Sequence, residues 1–227
     1  MSSSYNIPLY SLLPGESHNQ QALTFAGQFC IEASVDARRT DIANRRYFAA
    51  TIEHKDPGFL PKSILISDDL FKHILHPGIT YEIYGHIINH LHRYPPMMFV
   101  DYQTSAPEPT DRMPKSTCSK AVTVSGTGHV MHRFDREAFH DVMVIVKHRD
   151  YDHGALEWVE FYAEYICGKK YNDNFDPTPL QVGANIQFKG HIKGFYESRN
   201  TWIIRCSPLS GFFLRKHPAA LSCIEQR

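Results

Sequence analysis

Apolar and polar positions alternate in short runs along most of the chain, the period of a strand with one face buried. Leu23-Thr24-Phe25-Ala26-Gly27-Gln28-Phe29 and Ala121-Val122-Thr123-Val124-Ser125-Gly126 read as the first strands of two similar stretches. Each carries a glycine late in the run, where a strand bends or bulges. Tyr47 to Ile52, Ser63 to Ile66, Val142 to Val146 and Leu156 to Tyr162 continue the strand-like pattern. One segment departs from it. Ser67-Asp68-Asp69-Leu70-Phe71-Lys72-His73-Ile74-Leu75 opens on a capping residue and an acidic first turn, then places apolar residues at helical spacing, which predicts a short helix.

The two stretches also match each other in order, as internal repeats do. Gly78-Ile79-Thr80-Tyr81-Glu82-Ile83-Tyr84-Gly85-His86-Ile87 has a counterpart in Gly183-Ala184-Asn185-Ile186-Gln187-Phe188-Lys189-Gly190-His191-Ile192. Both read glycine, six residues, then Gly-His-Ile. Upstream, Ile52-Glu53-His54-Lys55-Asp56 matches Val146-Lys147-His148-Arg149-Asp150, and downstream Met97 to Val100 matches Trp202 to Ile204. The offset grows from 94 residues at the first landmark to 105 at Gly-His-Ile, which predicts an insertion near Tyr151 to Asp176. Between the copies, prolines and small polar residues from Thr104 to Ser116 form a linker. The expected organisation is an N-terminal extension (1–20), a first domain (21–103), a linker (104–117), a second domain (118–213) and a C-terminal tail (214–227).

Each copy therefore reads strand, strand, strand, short helix or loop, strand, strand. That order, with the glycine placement above, resembles the OB-fold of the single-stranded nucleic-acid-binding proteins of the replication protein A-like superfamily. The resemblance lies in strand order and not in a residue motif. It implies an all-β chain with short helices, arranged as two tandem OB-like five-stranded Greek-key barrels. It also implies non-catalytic binding of single-stranded DNA, or RNA, across strands two and three and the loops beside them.

On that resemblance, the loop joining strands one and two of the first copy carries Arg38, Arg39, Arg45 and Arg46 directly before Tyr47 and Phe48. Guanidinium groups beside rings suit a phosphate-and-base surface. The alternative is a solvated loop whose arginines pair with Asp36 and Asp41. The hairpin between strands four and five supplies His92, Arg93 and Tyr94 in the first copy and Lys193, Phe195, Tyr196 and Arg199 in the second. These rings either stack on bases or fold back over the barrel mouth. Lys169, Lys170 and Lys189 lie in or near the inserted loop and closing hairpin.

Charge sharpens the comparison between copies. The 227 residues carry 24 Lys+Arg against 24 Asp+Glu, but residues 1–112 have a net charge of −3 and residues 113–227 of +3. The second copy is the better candidate for a polyanion. Neutrality overall argues against coating nucleic acid by bulk electrostatics. His86, His90 and His92 lie close together, as do His129, His132, His148 and His153, which suits a metal or acid-base site, but structural roles are the simpler reading; with no acid-rich ligand set and no motif of catalysis present, no metal, cofactor or catalytic residue is expected. Five scattered cysteines without a C-x-x-C pair are expected to be reduced. No apolar run approaches a membrane span and the N-terminus lacks a basic leader region, which leads to the expectation of an intracellular protein with no membrane partner. The competing reading is a protein-interaction or assembly module, with a protein partner or self-association in place of a nucleic acid.

Overall fold

The computed structural model describes residues 21–36, 45–54, 56–69, 74–90, 94–102, 108–109, 122–168 and 176–207. The first copy supplies β1 (Leu23–Val35), β2 (Arg45–Ile52), β3 (Lys62–Asp69), β4 (Thr80–Ile88) and β5 (Met97–Val100), followed by the two-residue β6 (Glu108–Pro109). β1 pairs antiparallel with β2, β2 with β3, β3 parallel with β5, β5 antiparallel with β4, and β4 returns to β1. This circuit is a closed five-stranded barrel in the Greek-key order of the OB-fold. The second copy supplies β7 (Thr123–Arg136), β8 (Asp141–Asp152), β9 (Glu157–Gly168), β10 (Asn185–Tyr196) and β11 (Thr201–Cys206). Its pairings run through the same circuit, β7 to β8, β8 to β9, β9 parallel to β11, β11 to β10 and β10 back to β7. The chain is two OB-like barrels.

Closure depends on a bend in the long first strand of each barrel. β1 shifts register between Ile31 and Ala33; residues 23–30 pair with β4, and Ile31 and residues 33–35 pair with β2. β7 shifts at the corresponding place, between Val130 and His132. At each bend the backbone reaches the entry to the fourth strand. Gly78 N–H donates to the Ile31 carbonyl at 2.7 Å, and Gly183 N–H to that of Val130 at 2.9 Å. These two glycines have φ of +84° and +90°, a region that disfavours any side chain. The second glycine of each repeat meets another demand. A Cβ at Gly85 would sit 2.3 Å from the Phe99 carbonyl oxygen, and one at Gly190 2.2 Å from that of Arg205. The Gly-x6-Gly spacing is thus the requirement of a turn and of a close backbone crossing.

Other expectations are corrected. The late glycines of the first strands do not mark the bends. Gly126 stands opposite Leu23 where β1 and β7 pair with each other, with no room for a Cβ beside the Ala22 carbonyl. Ser67, Asp68 and Asp69 do not start a helix but extend β3, opposite Tyr47, Arg46 and Arg45 respectively. Side-chain partners distant in sequence outweigh the capping preference: Ser67 takes the Arg45 guanidinium and buried Asp68 takes the Tyr102 hydroxyl. Residues 70–73 of the expected helix lie outside the described residues, and Leu75 is buried beneath the barrel, as is Leu180 in the second. The His-basic-Asp landmark is also out of register. Ala50 opposes Ile31 and Val146 opposes Val130, so His148 corresponds to Ile52 and not to His54. Within the expected linker, Glu108–Pro109 pair with Glu82 and Tyr81, and its other residues lie outside the described ones. Cys167 and Cys206 are joined as a disulfide where expected to be reduced, because β9 and β11 run side by side and bring their Cα atoms to 5.0 Å. Cys30 is free.

The barrels share one apolar core. Phe25 of the first meets Trp202 of the second edge-on at 5.2 Å, and Trp202 packs on Phe195 at 4.7 Å. His148 sits wholly buried in this region, its Nδ1–H donating to the carbonyls of Gln21 and Thr127 and its Nε2 accepting from the Tyr165 hydroxyl at 3.1 Å. The neutral ring satisfies all of these groups in this arrangement. Burial lowers its pKa from 6.5 to about 4. Between these values the unfolded chain binds the proton and the folded one does not, so this contribution to stability is complete above about pH 6.5 and falls as the pH drops toward 4, by about 3 kcal/mol in all. Urea unfolding at pH 7 and pH 5 should show a shallower pH dependence for His148→Gln than for the unsubstituted protein; equal slopes would refute the assignment.

Candidate nucleic-acid interface

Pairing in the second barrel assigns each side chain to one of two faces. Val142, Val144, Val146 and His148 of β8 and Phe161, Ala163, Tyr165 and Cys167 of β9 are buried inside. Their neighbours point outward, and the ladder places Lys147 opposite Tyr162, Arg149 opposite Glu160 and Tyr151 opposite Trp158. β7 extends the surface with His132 opposite Ile145 and Phe134 opposite Met143. Trp158, Tyr162 and Phe134 are 40%, 37% and 45% exposed. Large, partly exposed rings held on strands are the kind of side chain on which unstacked bases can settle.

Cations are interleaved with these rings. The Arg149 guanidinium lies 4.9 Å from the centre of the Trp158 ring, and Tyr151 meets the same ring edge-on at 5.4 Å. Lys147 Nζ lies 3.4 Å from Glu160. At the end of β7, Arg136 is fixed by two hydrogen bonds to Asp141, at 2.6 and 2.7 Å, and lies 5.1 Å from the ring of Phe139, which is exposed in the turn to β8. This is the second-strand, third-strand face and adjoining loop that the OB-like resemblance implies as a binding surface.

The first barrel differs on the matching face. Tyr47 stands opposite Ser67, Ala49 opposite Leu65 and Thr51 opposite Ser63, a row with one ring and no Lys or Arg. Tyr47 is 1% exposed, in a cluster with Ile88, Met97 and Phe99 against which Val159 of the second barrel packs. His153, in the turn after β8, lies 5.3 Å from the His86 ring and 5.7 Å from that of Phe99. Burial, then the nearby His86 and Arg45, lower its pKa. Two carboxylates hold the tip in place: Asp150 pairs with His86 and Asp152 with His90, each at 2.8 Å. The β8–β9 hairpin is therefore seated on the first barrel beside the surface that would otherwise match its own.

The residues singled out in the sequence fall into three groups. Arg38, Arg39, His92, Arg93, Lys169 and Lys170 lie outside the described residues. Tyr47 and Phe195 are corrected as stacking platforms, since both are buried in apolar clusters. The rest are described but are not brought to one surface. Arg45 bonds Ser67 and lies over Phe99, Arg46 lies over Phe48, and Tyr94 meets His90 edge-on. Lys193 pairs with Asp56 at 3.5 Å, Tyr196 meets Phe59 at 5.6 Å, and Arg199 pairs with Glu164 at 2.7 Å while lying over Tyr196. With Lys62 over Phe195 at 4.0 Å and bonded to Glu197, the β10–β11 hairpin docks on the first barrel instead of standing free. Lys189 is exposed in a shallow depression along the β1–β7 seam. Trp158, Tyr162, Tyr151, Arg149 and Lys147 were not recognised in the sequence. The available signal was the alternation Trp158-x-Glu160-x-Tyr162, which separates an exposed row from a buried one.

No protein-family model matches the chain, and no curated protein matches it. Among solved structures, it is similar to the single-stranded DNA binding protein from Thermus aquaticus, at 7% identity over 88% of this chain and 95% of that one, with a TM-score of 0.47. A deletion mutant of that protein gives 8% identity over 88% and 97%, with a TM-score of 0.46. The tetrameric p202 HIN2 structure gives 11% identity over 83% and 92%, with a TM-score of 0.28. These likenesses are low, and the OB-like assignment rests on the strand pairings themselves.

Proposed function

We propose that this protein binds single-stranded nucleic acid, DNA ahead of RNA, without catalysis, and that the outer face of β7, β8 and β9 is its principal contact surface. The observation that carries the reading is the exposed row of Trp158, Tyr162 and Phe134 with Arg149 and Lys147 among them. Rings exposed on a barrel exterior gain nothing from the core, whereas each can stack on a base of any sequence.

Fluorescence anisotropy with labelled 30-mers of dT and rU and with a duplex, each at two salt concentrations, tests this. Single strands should bind more tightly than duplex. Affinity should fall with rising salt, and with a shallow slope, because only a few cations are available to neutralise phosphates. Absence of binding at low salt would reject the proposal and favour a protein partner.

A further inference from the structure

Glu160 is out of place on a surface that serves only to hold a polyanion. It stands on β9 midway between Trp158 and Tyr162, on the same outward face, and its side chain is about half exposed. Four residues of strand separate the two rings by about 13 Å, so the carboxylate lies within one or two base widths of either. Arg149 faces it across the ladder and Lys147 lies 3.4 Å away. A carboxylate there repels phosphate, while the adjacent cations attract it. The arrangement is productive when phosphates run along the β8 cations and base edges turn toward β9.

We infer that Glu160 reads the edge of a base stacked on Trp158 or Tyr162, and selects guanine. The inference rests on the nucleic-acid reading above. A carboxylate offers only acceptors. Guanine presents two parallel donors, N1–H and the N2 amino group, which match its two oxygens in a bidentate, charge-assisted pair. Cytosine and adenine each present one amino donor beside an acceptor. Thymine and uracil present one N–H between two carbonyl oxygens, which a carboxylate repels. Recognition of Watson–Crick edges together with stacking is the usual mode for unpaired bases.

The test uses the full chain with four labelled 12-mers, dT12, dA12, dC12 and a dT12 in which four thymines are replaced by isolated guanines. Lithium chloride as the salt prevents guanine quadruplexes. The guanine-containing strand should bind about 5- to 100-fold more tightly than dT12. Glu160→Gln should bring the two within about 2-fold while leaving dT12 affinity equal or higher, and an unchanged melting temperature would show that the fold is intact. Equal affinity for all four strands in the unsubstituted protein overturns the inference and leaves the nucleic-acid reading standing. So does a guanine preference that survives Glu160→Gln, or an equal loss for every strand. Failure of all four to bind overturns the underlying reading, and the guanine selection with it.

Discussion

Gly190→Ala is expected to destabilise the second barrel by more than about 3 kcal/mol, enough to unfold a large share of a domain whose total stability is of the usual order of 5–15 kcal/mol. The added Cβ would lie 2.2 Å from the Arg205 carbonyl oxygen, 2.9 Å from its carbon and 3.0 Å from the Ile204 side chain. Two of these neighbours are backbone of β11, which is held on one side by β10 and on the other by β9. The strand cannot withdraw without breaking the ladder that closes the barrel. Gly183→Ala is the informative comparison, because its Cβ meets nothing within 4 Å and only the positive φ resists it. Its cost should be about 1–2 kcal/mol. Urea unfolding followed by the fluorescence of buried Trp202 would measure both. A loss below about 1 kcal/mol at Gly190 would mean that β10 and β11 do not cross as described.

The second large effect is on binding. Trp158→Ala should weaken single-strand affinity by about 5- to 100-fold, the range expected for removing one stacking platform, and Trp158→Ala with Tyr162→Ala should weaken it further. Stability should change less than at a core position, since both rings are partly exposed and lie outside the apolar clusters. The expected loss combines a lost stacking surface with a displaced cation, because Arg149 rests against Trp158 and loses its support when the indole is removed. Trp158→Phe keeps a ring for both roles and should recover most of the affinity. Binding titrations on a strand of fixed length, with melting curves for each variant, decide the matter. Affinity unchanged in the double variant would remove this face from the interface.

The repeat was legible because its landmarks answer to backbone geometry. A positive φ and a backbone crossing leave no chemical choice but glycine, so Gly78, Gly85, Gly183 and Gly190 mark the chain wherever the barrel needs them. The His-basic-Asp match had no such constraint. It paired residues two positions out of register, a shift that preserves which face is inward and therefore the apolar pattern. Ser67 to Asp69 misled for the opposite reason. Local capping preference favoured a helix, and long-range partners, Arg45 and Tyr102, decided for a strand.

The binding surface was less legible than the fold. Choosing arginine-rich loops and hairpin tips assumes that loops face solvent, and here the β10–β11 hairpin is spent on the contact between barrels, with Phe195 buried under Lys62 and Tyr196 against Phe59. By itself the sequence determined two strand-rich copies, the glycines that close them and a second half richer in positive charge, all properties of local spacing and composition. Packing between the barrels set the pairing of β1 with β7, the meeting of Asp150 and Asp152 of one barrel with His86 and His90 of the other, and the partial exposure of Trp158 and Tyr162. Those outcomes depend on which surfaces two folded barrels cover when they pack, and no periodicity within either barrel encodes that choice.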